Sequence, residues 1–395
     1  MSIILSDAGL HSHLLPLTFT RPVGQLRPGI LRLSEGWYVR TGLSVGYRTE
    51  DYLSKAFPLP QHASPNFEVN GSLYPSDELV GAVLDLKPGQ VLVKDGKPLA
   101  YCSESEGGPQ PMDWDTVPGY AAKVQFSAEV ISFERPWQLF QYCGKAIEQD
   151  IALLTEGRRS QRLSALNTVV GDPNKVFLEE GAVVEACILN TKGGPIYIGK
   201  DAEVMEGCMI RGPFTLGDHS QLKMGAKIYG PTAVGPECRV GGEVSNCVIS
   251  GFSNKGHDGF LGNSVLGEWC NLGADTNSSN LKNTYGEVKA WSYSENAQVD
   301  TGLQFCGLIM GDHSKSGINT MFNTGTVVGV CTNVFGSGFP PKHIPGFAWG
   351  GTDGFVEHDI ERALNTAKRV MERRKIPFTQ LDEDVLRHIY TISKS

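Results

Sequence analysis

From Ile198 to Val240 an aliphatic residue returns at every sixth position: Ile198, Val204, Ile210, Leu216, Leu222, Ile228, Val234 and Val240. Four places after each stands a mostly small residue: Ala202, Cys208, Phe214, Ser220, Ala226, Thr232, Cys238 and Val244, with Phe214 as the misfit. An amphipathic helix repeats every 3.6 residues and a half-buried strand every two, so neither produces this spacing. A short period held this long marks a stacked architecture, in which each unit packs on its neighbours.

The period starts irregularly near Leu178 and Val184 and slips at Gly193-Gly194-Pro195. It breaks over residues 245–259, resumes at Phe260, Leu266 and Leu272, and breaks again over residues 278–309. It returns as Met310, Ser316, Phe322, Val328 and Val334, and Pro340-Pro341 is expected to end it. Hexads of this kind resemble the left-handed parallel β-helix, in which three hexads make one triangular coil and coils stack at about 4.8 Å. Both breaks are expected to be loops ejected at corners, the places where function attaches to a rigid scaffold. Two amphipathic helices, over about residues 353–374 and 382–392, are expected to cover the open edge of the last coil.

Residues 1–133 carry no hexad. A first strand over residues 2–5 leads to Ser6-Asp7-Ala8-Gly9, and apolar bursts follow at 37–39, 80–84, 91–93 and 124–126. Pro58, Pro60, Pro88-Gly89 and Pro109-Gln110-Pro111 separate them, which suits a mixed layer of short strands. Pro136 then opens a helix with Trp137, Phe140, Ile147, Ile151 and Leu154 at helical spacing, ending near Glu156 before a basic linker. The expected fold is therefore mixed. A small α/β domain occupies residues 1–157, a left-handed parallel β-helix 158–340, and a helical cap 341–395.

Composition narrows the function classes. The 395 residues allow two or three domains, and 47 Gly with 22 Pro fit a chain that keeps turning corners. A net charge of −8 disfavours nucleic acid and membrane surfaces as partners. Nine Cys without a C-x-x-C pair read as reduced packing residues, and several occupy the small slot. No apolar run reaches about 20 residues, and MSIILSDAG has no basic n-region, so a cytoplasmic protein is expected.

The candidate chemistry lies in the first break and the coil after it. Gly256-His257, Phe260-Leu261-Gly262, Asn271-Leu272-Gly273-Ala274-Asp275-Thr276 and Asn280 occur within residues 252–280. This run resembles the acyltransferase domain of the bifunctional N-acetylglucosamine-1-phosphate uridyltransferase/glucosamine-1-phosphate acetyltransferase family. The resemblance implies His257 as the general base that deprotonates the amine of an amino-sugar phosphate. It implies Asn271 and Asn280 as sugar ligands, Phe260 where the family carries Tyr, and Ala274 along the pantetheine arm of acetyl-CoA. Lys255 and Tyr285 stand near enough in sequence to join the substrate site. The chemistry is coherent. An attacking amine must be neutral, and an imidazole with an ordinary pKa near 6.5 accepts its proton at pH 7. No metal is needed. A homotrimer is implied, because acyl-CoA sites of this family lie between adjacent prisms.

Ile3–Gly9, Thr20-Arg21-Pro22 and Arg27-Pro28-Gly29 resemble the start of the sugar nucleotidyltransferases, with Arg21 and Arg27 as candidate phosphate ligands. That activity would join a nucleoside triphosphate to a sugar 1-phosphate and would need Mg²⁺, for which Asp77, Asp85 and Asp113 are available. Leu10-His11-Ser12-His13 stands where the family has its glycine-rich loop. Three functions stay open at this point: acyl transfer in the β-helix, nucleotidyl transfer in the first domain, or a non-catalytic sugar-nucleotide scaffold. His219 and His313, each in a Gly-Asp-His-Ser, read as corner residues.

Overall fold

The computed structural model describes residues 1–60, 65–103, 114 and 121–394. Asp113 and the Pro109-Gln110-Pro111 run lie outside the described residues. The chain divides into two compact units. The first comprises Met1–Leu14, Thr18–Leu26 and Leu31–Arg135, and the second Leu15–Leu17, Arg27–Ile30 and Pro136–Ser395.

Six strands form the sheet of the first unit: β1 (Ser2–Ser6), β2 (Ser44–Arg48), β3 (Asn66–Asn70), β4 (Gln90–Lys94), β5 (Lys97–Ser103) and β6 (Ala122–Gln125). Their order is β2-β1-β3-β5-β4-β6, and β1 runs parallel to both β2 and β3. The chain thus passes from one side of β1 to the other, which makes the carboxyl ends of β1 and β3 a topological switch point. Helices α1 (Leu33–Thr41), α2 (Asp51–Ser54) and α3 (Asp77–Leu84) fill the connections. The bursts at 37–39 and 80–84 lie on α1 and α3, not on strands. A short apolar run fits either element. The caps decide it: Ser76 accepts the Leu79 N–H at the start of α3, and Gly42 ends α1 in the left-handed region at φ 65°.

The second unit is a left-handed parallel β-helix whose three sheets hold 8, 9 and 10 strands. The aliphatic column fills its axis, with Ile198, Val204, Ile210, Leu216, Leu222, Ile228, Val234 and Val240 at most 1% exposed. Helix α4 (Gln138–Thr155) groups with this unit, so the division falls before Pro136 and not near residue 157. It buries Leu139, Phe140, Cys143, Ile147 and Ile151 and packs on the solenoid. A Cβ on Gly144 would sit 3.3 Å from the Pro231 ring, so this helix face must stay flat.

The break at residues 245–259 is not an ejected loop. Strands Glu243–Ser245, Val248–Gly251, Asn254–Lys255 and Phe260–Gly262 continue the three sheets in register. The step from Val240 to Val244 is four positions and that from Val244 to Ile249 is five, in place of six, so two sides of the coil shorten and the period disappears from the sequence. The second break is a true insertion between Asn277–Ser278 and Ile309–Met310. It carries an antiparallel hairpin, Lys289–Ser292 against Ala297–Asp300.

The solenoid also runs past Pro340-Pro341. His343–Ile344 pairs with Val327–Val328, and Ala348–Gly351 pairs with Asn333–Val334. Strand Gly354–Glu357 then folds back antiparallel onto that edge. Helices α5 (Ile360–Arg373) and α6 (Gln380–Ile392) follow, each started by a side-chain cap from Asp359 and Thr379. Among the described residues no helix is long and apolar enough to cross a membrane.

Candidate active site

One face of the solenoid presents the outward residues Gln221, Arg239, Asn254, Asn271 and Lys315 from successive strands, stacked in the parallel ladder. The last turn of α5 stands over this column with Val370, Arg373 and Arg374, leaving a groove of about 770 Å³. Glycines make the floor flat. A Cβ on Gly273 would lie 2.5 Å from the backbone of Gly317 on the next coil.

His257, Asn271 and Ala274 all line this groove. Their neighbours include Lys223, Arg239, Lys315, Arg373 and Arg374, so a chain of net charge −8 gathers five cations about one depression. Glu237 offsets part of that charge, 3.9 Å from Arg239 and 3.7 Å from Arg374. Arg374 also donates to Asn254 Oδ1 at 3.1 Å, and Asn254 donates to Asn271 Oδ1 at 3.3 Å, which ties α5 to the floor. Lys315 donates to the His313 carbonyl at 2.8 Å, and burial pulls its ammonium below the usual lysine range. At the corner beside the groove Phe252 and Trp269 stack with ring centroids 4.2 Å apart, both lining it from left-handed backbone positions.

Lys255 does not face the groove. It occupies the aliphatic slot of its coil, paired in register with Val240, and is 2% exposed. Its Nζ donates to the carbonyls of His257 at 2.6 Å and Asp258 at 3.3 Å. Burial lowers its pKa to about 8, against the opposing pull of Asp258 and Asp275. Its inward direction follows from its place in the strand, where alternate side chains point to opposite faces.

Phe260 and Asn280 lie elsewhere as well. Phe260 begins the strand on the next face, and Asn280 donates to Asn263 Oδ1 at 2.8 Å beyond the far end of that face. Tyr285, in the insertion, is 69% exposed. His219 and His313 occupy left-handed corner positions at φ 56° and 59°. Among the described residues no group of three His, Cys, Asp or Glu side chains could hold a metal ion.

The basic residues of the groove escape sequence inspection. Gln221 and Arg239 belong to one outward column only once the faces are assigned, and Arg373 and Arg374 reach the groove from a helix read as a cap. The visible signal was the eighteen-residue step from Gln221 to Arg239 within the uninterrupted hexads.

In the first unit the mouth at the end of β1 is closed by short bonds. Asp7 accepts the Val23 N–H at 2.7 Å and the Thr49 hydroxyl at 2.5 Å, and burial raises its pKa to about 7. His11 and Thr18 exchange bonds of 2.8 and 2.7 Å across the segment that stands in the glycine-rich loop's place. Arg21, in this unit, and Arg27, which groups with the second, are both buried, each 8% exposed, and Arg27 donates to the Ile30 carbonyl. A divalent cation needs carboxylate oxygens free to bind it. Both oxygens of Asp7 are engaged, while Asp77 pairs with Arg40 at 2.8 Å through Oδ1 and Asp85 ends α3 through its backbone N–H. Asp7, at the end of β1, therefore does not fit an Mg²⁺ site.

Residues 3–159 match the family model described as sugar nucleotidyl transferase. The bifunctional sugar-1-phosphate nucleotidylyltransferase/acetyltransferase of Sulfurisphaera tokodaii is 32% identical over 144 residues, 36% of this chain and 35% of that protein. The bifunctional protein GlmU of Methanocaldococcus jannaschii is 29% identical over 127 residues, 32% of this chain and 26% of its own length. The matched region thus spans about a third or less of those curated relatives. A solved Arabidopsis UDP-N-acetylglucosamine acyltransferase aligns at 14% identity over 54% of this chain and 80% of that one, with a TM-score of 0.26. The chain joins a segment matching the sugar nucleotidyl transferase family to a left-handed β-helix, and in this it resembles the bifunctional nucleotidyltransferase/acetyltransferase proteins.

Proposed function

We propose that the β-helix transfers an acyl group, most simply acetyl, from acyl-CoA to the amine of an amino-sugar phosphate. The observation that carries this reading is the convergence of His257, Asn271 and Ala274 on one basic groove. His257 removes a proton from the attacking amine, the amine adds to the thioester carbonyl, and collapse expels the CoA thiolate. Asn271 hydrogen-bonds the sugar, and Ala274 lies along the pantetheine arm. The cations suit the phosphates of both substrates, since guanidinium–phosphate pairs are strong and directional. Phe260, Asn280 and Tyr285 complete the sugar site from a neighbouring copy in a homotrimer.

Arg373 tests the donor side of this reading, because it lines the groove without anchoring α5 as Arg374 does. Arg373→Ala is expected to raise KM for acetyl-CoA about ten-fold, the loss of one charge-assisted hydrogen bond, with kcat changed far less. Steady-state kinetics of thiol release decide it, and an unchanged KM would remove Arg373 from the donor site.

A second reading rests on the family match at residues 3–159. In it the first unit forms a nucleoside diphosphate sugar and pyrophosphate, with Arg21 on the phosphates. It predicts isotope exchange between pyrophosphate and a nucleoside triphosphate. An absence of exchange with every common hexose 1-phosphate would leave acyl transfer alone.

A further inference from the structure

A lysine in the aliphatic slot of a β-helix demands a reason, because burying an ammonium group is costly unless its donors are satisfied. At this position the donors converge on one segment. Lys255 Nζ donates to the carbonyls of His257 and Asp258, the two residues that follow Gly256 at the corner. Gly242, on the preceding coil at φ 70°, leaves the room for it. A Cβ there would lie 2.8 Å from Lys255 Nζ and 2.8 Å from the carbonyls of both His257 and Gly259. The side chain therefore leaves the prism axis, passes a glycine gap and ends beneath the backbone that carries the imidazole. The acidic groups around it, Asp258 and Asp275, act through space, and the Cys247 thiol lies near as well.

We infer that Lys255 is a positioning residue, which clamps the His257–Asp258 backbone from inside the prism and so fixes where the His257 imidazole stands in the groove. The inference rests on the reading of His257 as the base. The clamp itself is a backbone contact that can be measured without any turnover. Lys255 itself touches no substrate. It acts because an error of about 1 Å at a catalytic group costs on the order of 100-fold in rate.

Lys255→Met keeps an unbranched apolar stem in the slot and removes the donors. Removing the ammonium relieves its desolvation cost but leaves the His257 and Asp258 carbonyls without that donor, and because these effects oppose each other the melting temperature is expected to stay within roughly a few degrees of wild type. Two readouts are then taken. Amide hydrogen exchange follows Asp275, whose N–H bonds the Asp258 carbonyl, and Glu243, whose N–H bonds the Gly259 carbonyl. Both are expected to exchange at least about ten-fold faster, while the amides of Val248 and Val265 on the adjacent face keep their protection. Turnover of acetyl transfer is expected to fall about 10- to 100-fold at saturating substrates, with KM for acetyl-CoA little changed.

Unchanged protection at Asp275 and Glu243 overturns the clamp. Faster exchange with wild-type kcat overturns the positioning role, since a lysine that merely plugs the core would give that result. His257→Gln, assayed beside it, keeps the two claims apart. Full activity in that variant removes the base, while the exchange data still decide what Lys255 holds.

Discussion

His257→Gln is expected to lower the turnover of acetyl transfer by ~10²–10⁴-fold, the range that a positioned general base contributes. Glutamine keeps the size and hydrogen-bonding capacity of the ring edge but cannot take up a proton near neutral pH. The amine of an amino-sugar phosphate is largely protonated at pH 7, and the proton it carries, or loses on attack, must have somewhere to go. His257 is exposed at the groove, and its backbone is held by Lys255 from behind, so removing the imidazole leaves the coil intact. KM for both substrates should stay near wild type, because the lost interaction belongs to the transition state. A drop in affinity without a drop in kcat would make His257 a ligand and not a base.

Phe214→Ala is expected to destabilise the β-helix by about 3–5 kcal/mol, the cost of deleting a fully buried aromatic ring. Phe214 is the one large residue in the small slot of the regular hexads, yet it is fully buried. Its ladder neighbours are Ile196 on one coil and Thr232 on the next, so the ring fills space that the shorter Thr232 leaves open. The lost transfer energy and the new cavity act in the same direction. Because coils contact only their neighbours, the loss should concentrate in adjacent coils and appear as a lowered urea midpoint. A change below about 1 kcal/mol would mean that the surrounding coils collapse onto the gap.

The hexads between Ile198 and Val240 made the solenoid legible because every side there has six residues and an aliphatic interior. The same rule hid the next coil. There two sides shorten, and Lys255 takes the aliphatic position, so a continuous coil reads as an interruption. His257, Asn271 and Ala274 could be named because they lie in one short run. Arg373 and Arg374 could not, since they come from the end of a helix far along the chain that folds back over the same face. Lys255 was expected at the substrate and lies inside the prism, a matter of strand direction that the motif alone does not carry. In the first unit α1 and α3 were obscured because short apolar runs fit a strand or a helix equally well.

The most direct measurement is thiol release from acetyl-CoA by the wild-type protein, with and without a hexosamine 1-phosphate. Release that depends on the amino sugar and matches the N-acetylated product one for one is the predicted result. Release no faster than in buffer, across glucosamine, galactosamine and mannosamine phosphates and with the groove residues intact, would contradict acyl transfer as the function of the β-helix.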